Sequence, residues 1–599
     1  VSENLRASRA QLDASDPAAT AWVNANAGSG KTHVLVDRVI RLMLGGTEPS
    51  RIMCLTFTKA AAAEMANRLF ERLSKWIALD DEGLAALLEK LGSPGADGPL
   101  LQRARQLFTR ALETPGGLKI QTIHAFCERV LQLFPVEAGI VPHFTMLDDR
   151  EALSLLQAAR NAVLAEAKSG SGSPLAASLL DIANRVSADD FDKLLTQLLA
   201  KRSNLRQIFE GDGGLQHAES LLRQYMSLEQ GLTRAALEQG LSCEAAKYLA
   251  IAEALDAGSG PEKERGVAIR AICQSGAVSL MHLKSVLLTK DGEIRKSIAN
   301  KGTLAANPWI EEFVKADQQR LFDALGAMGD IECLDATQSL LRIGSAIVTA
   351  FEQAKRARGA YDFDDLIIKT GELLHERPDA AWVLYKLDGG IEHLLVDEAQ
   401  DTSPMQWQIV RSLTDEFFSG EGRHGRKPRT LFVVGDRKQS IYSFQGADPN
   451  VFERVLDEVR QQVEAAGQEF RAVDFTVSFR SAPKVLEAVD HVFARNSAAR
   501  SGLDGDTPRD WHHEPNRREA EGTVEIWPLL IPEDAEERDP WQAPVDREPA
   551  RSPRRRLAKE LAQTIKGWIG KRMLPGRGRA VGRATSSSSS AAATASSMR

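Results

Sequence analysis

At 599 residues the chain exceeds what one hydrophobic core supports, and its length is that of three or four domains. With 43% hydrophobic and 26% charged residues its composition is that of an ordinary globular protein, and a net charge of -7 excludes nucleic-acid binding by bulk electrostatics, so any such contact must be local. The five cysteines (Cys54, Cys127, Cys243, Cys273, Cys333) form no CxxC pair and stand at no metal-ligand spacing; they predict reduced thiols in a cytoplasmic protein with no zinc site.

The first twenty residues lack the apolar core of a signal peptide, and no later apolar run is long enough to span a membrane, so a soluble chain without a membrane partner is expected. Strand-like runs at Ala21 to Asn26, Ile52 to Phe57 and Leu118 to Gln121 are each followed by a helical stretch, the alternation of a parallel α/β sheet. From about Thr145 to Arg356 the chain turns Leu/Ala-rich at helical spacing, as in Glu151 to Ala167 and Phe191 to Leu199, which predicts a large helical insertion. Strand signals return at His393 to Val396 and Thr430 to Val434. The expected organisation is therefore a split α/β domain at 1–144 and 357–470 interrupted by a helical domain at 145–356. A third α/β texture at 471–575 has strands at Val473 to Val477 and Thr523 to Trp527 and a helix at Pro483 to Ala494; 576–599 reads as an aberrant or disordered tail.

The run Ala25-Asn26-Ala27-Gly28-Ser29-Gly30-Lys31-Thr32 joins a predicted strand to a predicted helix, the context a phosphate loop needs. Its glycines let backbone N–H groups face the phosphates, and the helix N-terminus adds positive potential. Lys31 would reach the β/γ-phosphates of ATP and Thr32 would ligate Mg²⁺; the alternative is a Gly-rich strand-to-helix turn. Downstream, Asp397 and Glu398 close an apolar strand where acids face the ligand crevice, Asp397 to hold Mg²⁺ through water and Glu398 to polarise the attacking water. The alternative makes these acids the first turn of a helix before Met405. A third strand leads into Gly435-Asp436-Arg437-Lys438-Gln439, where a neutral amide at Gln439 can sense a γ-phosphate.

Together with Gln11, LTFTKAAAAEM at 55–65, TIHAFC at 122–127, VDEAQDTSPMQ at 396–406, VGDRKQSIYSFQGADP at 434–449 and VSFRS at 477–481, the chain resembles the UvrD/Rep-like superfamily 1A helicases, and more closely their AddA/RecB branch. The branch rests on Ser443-Phe444-Gln445-Gly446 and on the enlarged insertion. The resemblance implies a RecA-like P-loop motor domain with a parallel sheet, a large helical insertion and the start of a second RecA-like domain. It implies that Gln11 reads adenine, that Phe479 stacks on it, and that Arg480 reaches from the second motor domain to the γ-phosphate; otherwise Arg480 is a surface arginine ahead of a helix. Single-stranded DNA would meet Thr56, Phe57, Thr58, Thr122, His124, Tyr442 and Phe444, although Phe57 and Phe444 can instead be core residues, as a lone Phe after a strand more often is.

Departures from the family pattern are Ala25 at the first loop position, His33 where many relatives have Arg, and Lys59 one place ahead of the usual lysine, whose position holds Ala60. The segment Tyr361 to Leu366 reads as structural despite its acids. The family implies later helicase motifs, a second helical insertion and a nuclease domain that this sequence does not contain, so one full motor domain and the start of another are expected. A single-base loss near Val581 would turn a family-like strand into the Ser/Ala tract that follows; the alternative is a natural tail. The implied activity is ATP-dependent 3′ to 5′ movement on DNA ends, single- and double-stranded, with an AddB-like partner subunit, in double-strand break repair and recombination. The competing readings are a fragment that binds ATP and DNA without complete turnover, and a P-loop ATPase acting on other substrates.

Overall fold

Short runs of apolar residues without polar alternation form strands covered on both faces, the signature of a parallel sheet inside an α/β domain. The computed structural model describes residues 3–170, 172–202, 205, 208–209, 214–274, 278–388, 390–418, 428–440, 448–494, 512–531, 552–574 and 578–582. Among the described residues the strands are β1 (Thr20–Ala25), β2 (Ile52–Thr56), β3 (Lys119–Thr122), β4 (Thr145–Met146), β5 (Ala360–Tyr361), β6 (His393–Val396), β7 (Thr430–Gly435), β8 (Phe470–Phe475), β9 (Val477–Ser478) and β10 (Glu514–Pro515). The chain divides into two compact units, Val1–His143 with Asp365–Arg599, and Phe144–Asp364.

The first unit is built on six parallel strands in the order β3-β2-β6-β7-β1-β8. β2, β6 and β7 are buried throughout, and β1 everywhere except Asn24. One face is covered by α2 (Lys31–Leu44) and α3 (Lys59–Ile77), whose Val34, Leu35, Val39, Ile40, Met65, Leu69, Leu73 and Trp76 share a core with Val23, Cys54 and Val434. Each such side chain contributes about 1.5–3 kcal/mol by leaving water. Elsewhere in this unit Trp22 of β1 stacks on Trp407, ring centres 5.7 Å apart, and meets Phe452 at a tilt of 49° with ring centres 4.9 Å apart.

α1 (Glu3–Ala14) is tied to this sheet by two arginines of α2. The buried Arg38 guanidinium donates to the carbonyls of Ala14, Asp16 and Ala19 and to Thr430 Oγ1, while Arg41 donates to Leu12 O and Ser15 Oγ. Burial lowers the Arg38 pKa to about 9, and the ring of carbonyl acceptors compensates the charge. The turn that presents Gln11 to the loop after β1 is thereby fixed.

Two sequence expectations are corrected. The strand expected to open a second α/β domain near Arg471 is β8, and it is the sixth strand of the first sheet, registered with β1 from Thr20↔Phe470 to Ala25↔Phe475. Its alternating burial is that of an edge strand, and it supplies the partner that β1 needs on its outer side. Thr523 to Trp527 is not a strand: the segment has no ladder partner among the described residues, and Val524 and Ile526 are exposed. Its alternation of apolar and polar residues specifies a strand only where a neighbouring edge accepts it.

The second unit is helical. Its axis is a 50-residue helix, Trp309–Arg358, which ends at Gly359 in the left-handed conformation (φ 59) that favours glycine. One core gathers Tyr248, Ile251, Leu255, Leu283, Leu287 and Leu321, and another Val163, Ile182, Leu195, Ile343 and Ile347. β4 and β5 pair in parallel where the unit begins and ends. There Asp362 takes Lys355 Nζ and Arg202 Nη2 at 3.3 Å each, the setting of the acidic Tyr361 to Leu366 run. No helix among the described residues is long and apolar enough to cross a membrane.

Candidate nucleotide site

Because all six strands run the same way, the residues that follow them collect at one edge of the sheet, the edge where α/β proteins bind ligands. After β1 comes the loop Asn26 to Gly30, leading into α2. Gly28 (φ 77) and Gly30 (φ 93) take left-handed conformations, and Gly30 caps α2 with no side-chain hydrogen bond. The N-terminal end of α2 faces the loop, the arrangement that binds phosphate, with the His33 N–H donating back to Gly30 O at 2.9 Å. Ala25, the departure from the usual glycine, is the last residue of β1 and pairs with Phe475, so the loop's unusual backbone begins beyond it. Ser29 Oγ is buried without a hydrogen-bond partner among the described residues, a polar atom at the loop that a phosphate oxygen would satisfy.

Lys31 Nζ donates to Glu398 Oε2 at 2.9 Å, joining the loop to the carboxylate pair after β6. Asp397 lies at the end of that buried strand, and its carboxyl is pushed up to about 7, first by burial and then by repulsion from Glu398. Glu398 moves the other way: burial alone would raise it, but the Lys31 charge and hydrogen bonds from Gln400 and Lys31 hold it below the usual range. Two adjacent acids pushed apart in proton affinity form a site that welcomes a cation at Asp397 and keeps Glu398 ionised. Glu398 has φ 50, a left-handed conformation that costs a non-glycine residue about 1–3 kcal/mol. With the Thr32 hydroxyl in the first turn of α2, the Asp397 carboxylate makes a donor set that fits Mg²⁺, which takes one or two protein oxygens and the rest from phosphate and water.

Gln400 is buried and donates its amide to Glu398 Oε2 at 2.9 Å and to Asp401 Oδ2 at 3.1 Å, while its oxygen accepts the Asp436 N–H at 2.9 Å. After β7, Gln439 Nε2 donates to Asp436 Oδ2 at 2.6 Å, and Lys438 Nζ donates to Asn26 Oδ1 in the phosphate loop. Gln400, Asp436, Lys438 and Asn26 thus link three strand ends, and sequence reasoning assigned no role to the first three. The signal available was the polar residues clustered directly after buried strands.

Gln11, expected near adenine, lies against the loop and donates to Ser29 O at 3.4 Å. The Val477 to Ser481 segment also packs on the loop. Ser478 Oγ donates to Ala27 O at 3.1 Å and the Phe479 N–H to Gly28 O at 2.8 Å, and a Cβ on Gly28 would stand 2.5 Å from Arg480 Cβ. Gly28 is needed both for its backbone and for this close approach. Phe479 and Arg480 are exposed beside the loop and directly follow β9, which pairs with β10 outside the six-stranded sheet. His33, in place of the usual arginine, has Nε2 3.5 Å from Asp37 Oδ2.

The residues expected to meet DNA divide into two groups. Thr56 is registered with Thr122 across β2 and β3, so Thr56 to Thr58 and Thr122 to His124 lie side by side at the same edge. Thr58 and Thr122 are also helix N-caps, accepting the N–H groups of Ala61 and Ala125, and Thr56 Oγ1 donates to Thr58 O. Phe57 is half-buried, and burial lowers the proton affinity of His124, which leaves its ring neutral near pH 7. Tyr442 and Phe444 lie outside the described residues.

A model of the UvrD/REP helicase N-terminal domain matches residues 7–460. Among curated proteins the chain is similar to an ATP-dependent helicase/nuclease subunit of Exiguobacterium sibiricum, 28% identical over 504 residues that make up 79% of this chain and 38% of that protein. The same-named protein of Syntrophomonas wolfei is 26% identical over 501 residues, 79% of this chain and 36% of its own length. That of Lactobacillus delbrueckii subsp. bulgaricus is 29% identical over 506 residues, with 79% and 38% covered. The chain thus spans under two fifths of each of these three relatives. With the glycine loop after β1, the adjacent acids after β6 and the glutamine turn after β7 gathered at one edge of a parallel sheet, and a match that runs from α1 past β7, the chain belongs to the UvrD/REP helicase family.

Proposed function

We propose that this chain is the ATP-hydrolysing part of a DNA helicase or translocase that moves 3′ to 5′ on single strands drawn from double-strand ends. The single observation that carries the reading is the Lys31–Glu398 contact at 2.9 Å, which supports a phosphate-binding role for Lys31 beside a carboxylate base at Glu398. The backbone of Asn26 to Lys31 and the start of α2 bind the β- and γ-phosphates, with Lys31 between them. Thr32 and Asp397 would hold Mg²⁺, which would supply positive charge to offset that of the bound phosphates. Glu398 orients the attacking water and accepts its proton, Gln439 senses the γ-phosphate, and Arg480 stabilises charge as the γ-phosphoryl leaves. Gln11 and Phe479 recognise the adenine. Thr56, Phe57, Thr58, Thr122 and His124 track the single strand at the same sheet edge as the nucleotide cycle, and Tyr442 and Phe444, by resemblance, contact it as well.

The relatives are named helicase/nuclease subunits, which supports a role in double-strand break repair alongside an AddB-like second subunit. DNA-stimulated ATP hydrolysis tests the reading. Turnover that rises at least about tenfold with single-stranded DNA and vanishes in Lys31→Ala is expected. Nucleotide binding without DNA-stimulated turnover would support an ATP-binding fragment instead, and unchanged nucleotide affinity in Lys31→Ala would remove the phosphate-loop assignment.

A further inference from the structure

We propose that Gln400 is a positioning residue for Glu398, clamping that carboxylate to the turn after β7 so that the ends of β6 and β7 act as one body. The proposal rests on the hydrolytic reading above. Every part of the Gln400 amide is engaged: its nitrogen donates to Glu398 Oε2 and Asp401 Oδ2, and its oxygen accepts the Asp436 N–H. β6 and β7 are neighbours in the sheet, registered from His393↔Thr430 to Val396↔Val433, and Gln400 bridges them just beyond the last registered pair. Asp436 then holds Gln439 through its side chain at 2.6 Å and the Lys438 N–H at 3.1 Å. The result is a continuous polar chain, Lys31 to Glu398 to Gln400 to Asp436 to Gln439, running across three strand ends.

Two further features show why the clamp is built this way. Glu398 sits at φ 50, off the path an ordinary strand end would give it, so its carboxylate needs a partner to fix where it points. Gly435 leaves room for the clamp: a Cβ there would lie 2.8 Å from Gln400 Oε1 and 3.2 Å from the Gln400 backbone nitrogen. Position 435 ends β7, where any other side chain would push Gln400 away from Asp436. A glutamine placed only to cap its own turn would need neither the Asp436 contact nor the glycine opposite.

The test compares wild type, Gln400→Ala, Gln400→Glu and Gly435→Ala in two measurements. The first is DNA-stimulated ATP hydrolysis, split into kcat and KM. The second is the affinity for fluorescent ADP with Mg²⁺, with and without aluminium fluoride, which mimics the γ-phosphoryl group in transfer and does not depend on turnover. Gln400→Ala is expected to lower kcat about tenfold or more while KM and the ADP affinity stay within about twofold, and to lose most of the affinity gained from aluminium fluoride. Gln400→Glu is expected to be worse, since it sets a third anion beside Glu398 and Asp401; Gly435→Ala, which keeps the glutamine but displaces it, should lie between wild type and Gln400→Ala. Unchanged kcat and an unchanged aluminium fluoride gain overturn the proposal, as does a parallel loss of kcat and ADP affinity, the mark of a merely structural residue. If wild type turns over no ATP yet gains affinity from aluminium fluoride, the hydrolytic reading of the isolated chain fails, and the variants still decide the role of Gln400. If wild type shows neither, both readings fall.

Discussion

Replacing Asp397 by Asn should stabilise the protein when no metal or nucleotide is bound. Burial and the neighbouring Glu398 charge raise the Asp397 carboxyl from 3.8 to about 7. The folded state therefore holds this proton more tightly than the unfolded chain does. Below pH 3.8 both states are protonated and ionisation costs nothing; between 3.8 and 7 the cost of folding grows with pH, and above 7 it is constant. A difference of about three units, at about 1.4 kcal/mol each, sets a ceiling of roughly 4 kcal/mol. Asn has nearly the same shape and cannot ionise, so it escapes the penalty. Urea unfolding in EDTA should find Asp397→Asn more stable by about 2–4 kcal/mol at pH 8, and by about 1 kcal/mol at pH 4.5. Saturating Mg²⁺ should narrow the gap by stabilising wild type alone. Equal stabilities at pH 8, or a gain that does not change with pH, would refute the assignment of Asp397 as a buried acid awaiting a cation.

Gly28→Ala forces a left-handed backbone on a residue with a side chain and drives its Cβ to 2.5 Å from Arg480 Cβ. Fluorescent ADP titration should show affinity reduced at least about tenfold, and unchanged affinity would refute the packing of the Arg480 segment on the loop. Trp407→Ala empties one side of the Trp22 stack and should cost about 3–5 kcal/mol, read by chemical denaturation of the whole chain. In the helical unit, burial alone would raise Glu262, but hydrogen bonds from the Asn300 and Ser259 N–H groups and the Ser259 and Thr303 hydroxyls outweigh it and pull the carboxyl down to about 2. A lowered acid stabilises the fold fully above pH 4.5 and loses that contribution as pH falls toward 2. Glu262→Gln should therefore lower the helical signal's melting temperature at pH 7, with the gap to wild type closing below pH 4.

The strands that carry the site were legible because burial on both faces leaves a mark in the chain: Ile52 to Leu55 and Leu394 to Val396 are uninterrupted apolar runs, and each is followed by a polar residue of the site. The phosphate loop was legible despite Ala25, since the residues that need unusual backbone are Gly28 and Gly30. Partnership was harder to read. Phe470 to Phe475 is recognisably strand-like, but nothing local says that its neighbour is β1, whose pairing is decided by residues 450 positions away. Thr523 to Trp527 carries a similar alternation and finds no edge at all among the described residues. Gln400 was hidden because its role depends on Asp436 and on the missing side chain of Gly435, three features that only the packing of β6 beside β7 brings together. Thr58 and Thr122 stand as DNA contacts by resemblance alone, while their spacing to Ala61 and Ala125 already marks them as helix caps.

The pairing of β8 with β1 also bears on how this domain can be cut. β1 is the strand from which the phosphate loop springs, and it is sheltered on one side by β7 and on the other by β8. A fragment ending before Phe470 would keep most of the loop's neighbours yet leave six residues of β1 with an open row of backbone donors and acceptors. Such an exposed edge recruits any passing strand, including the same edge of another molecule. Shortened forms of this domain should therefore cluster in solution more readily than those that retain Phe470 to Phe475, an edge strand that carries the charged Arg471 and Asp474.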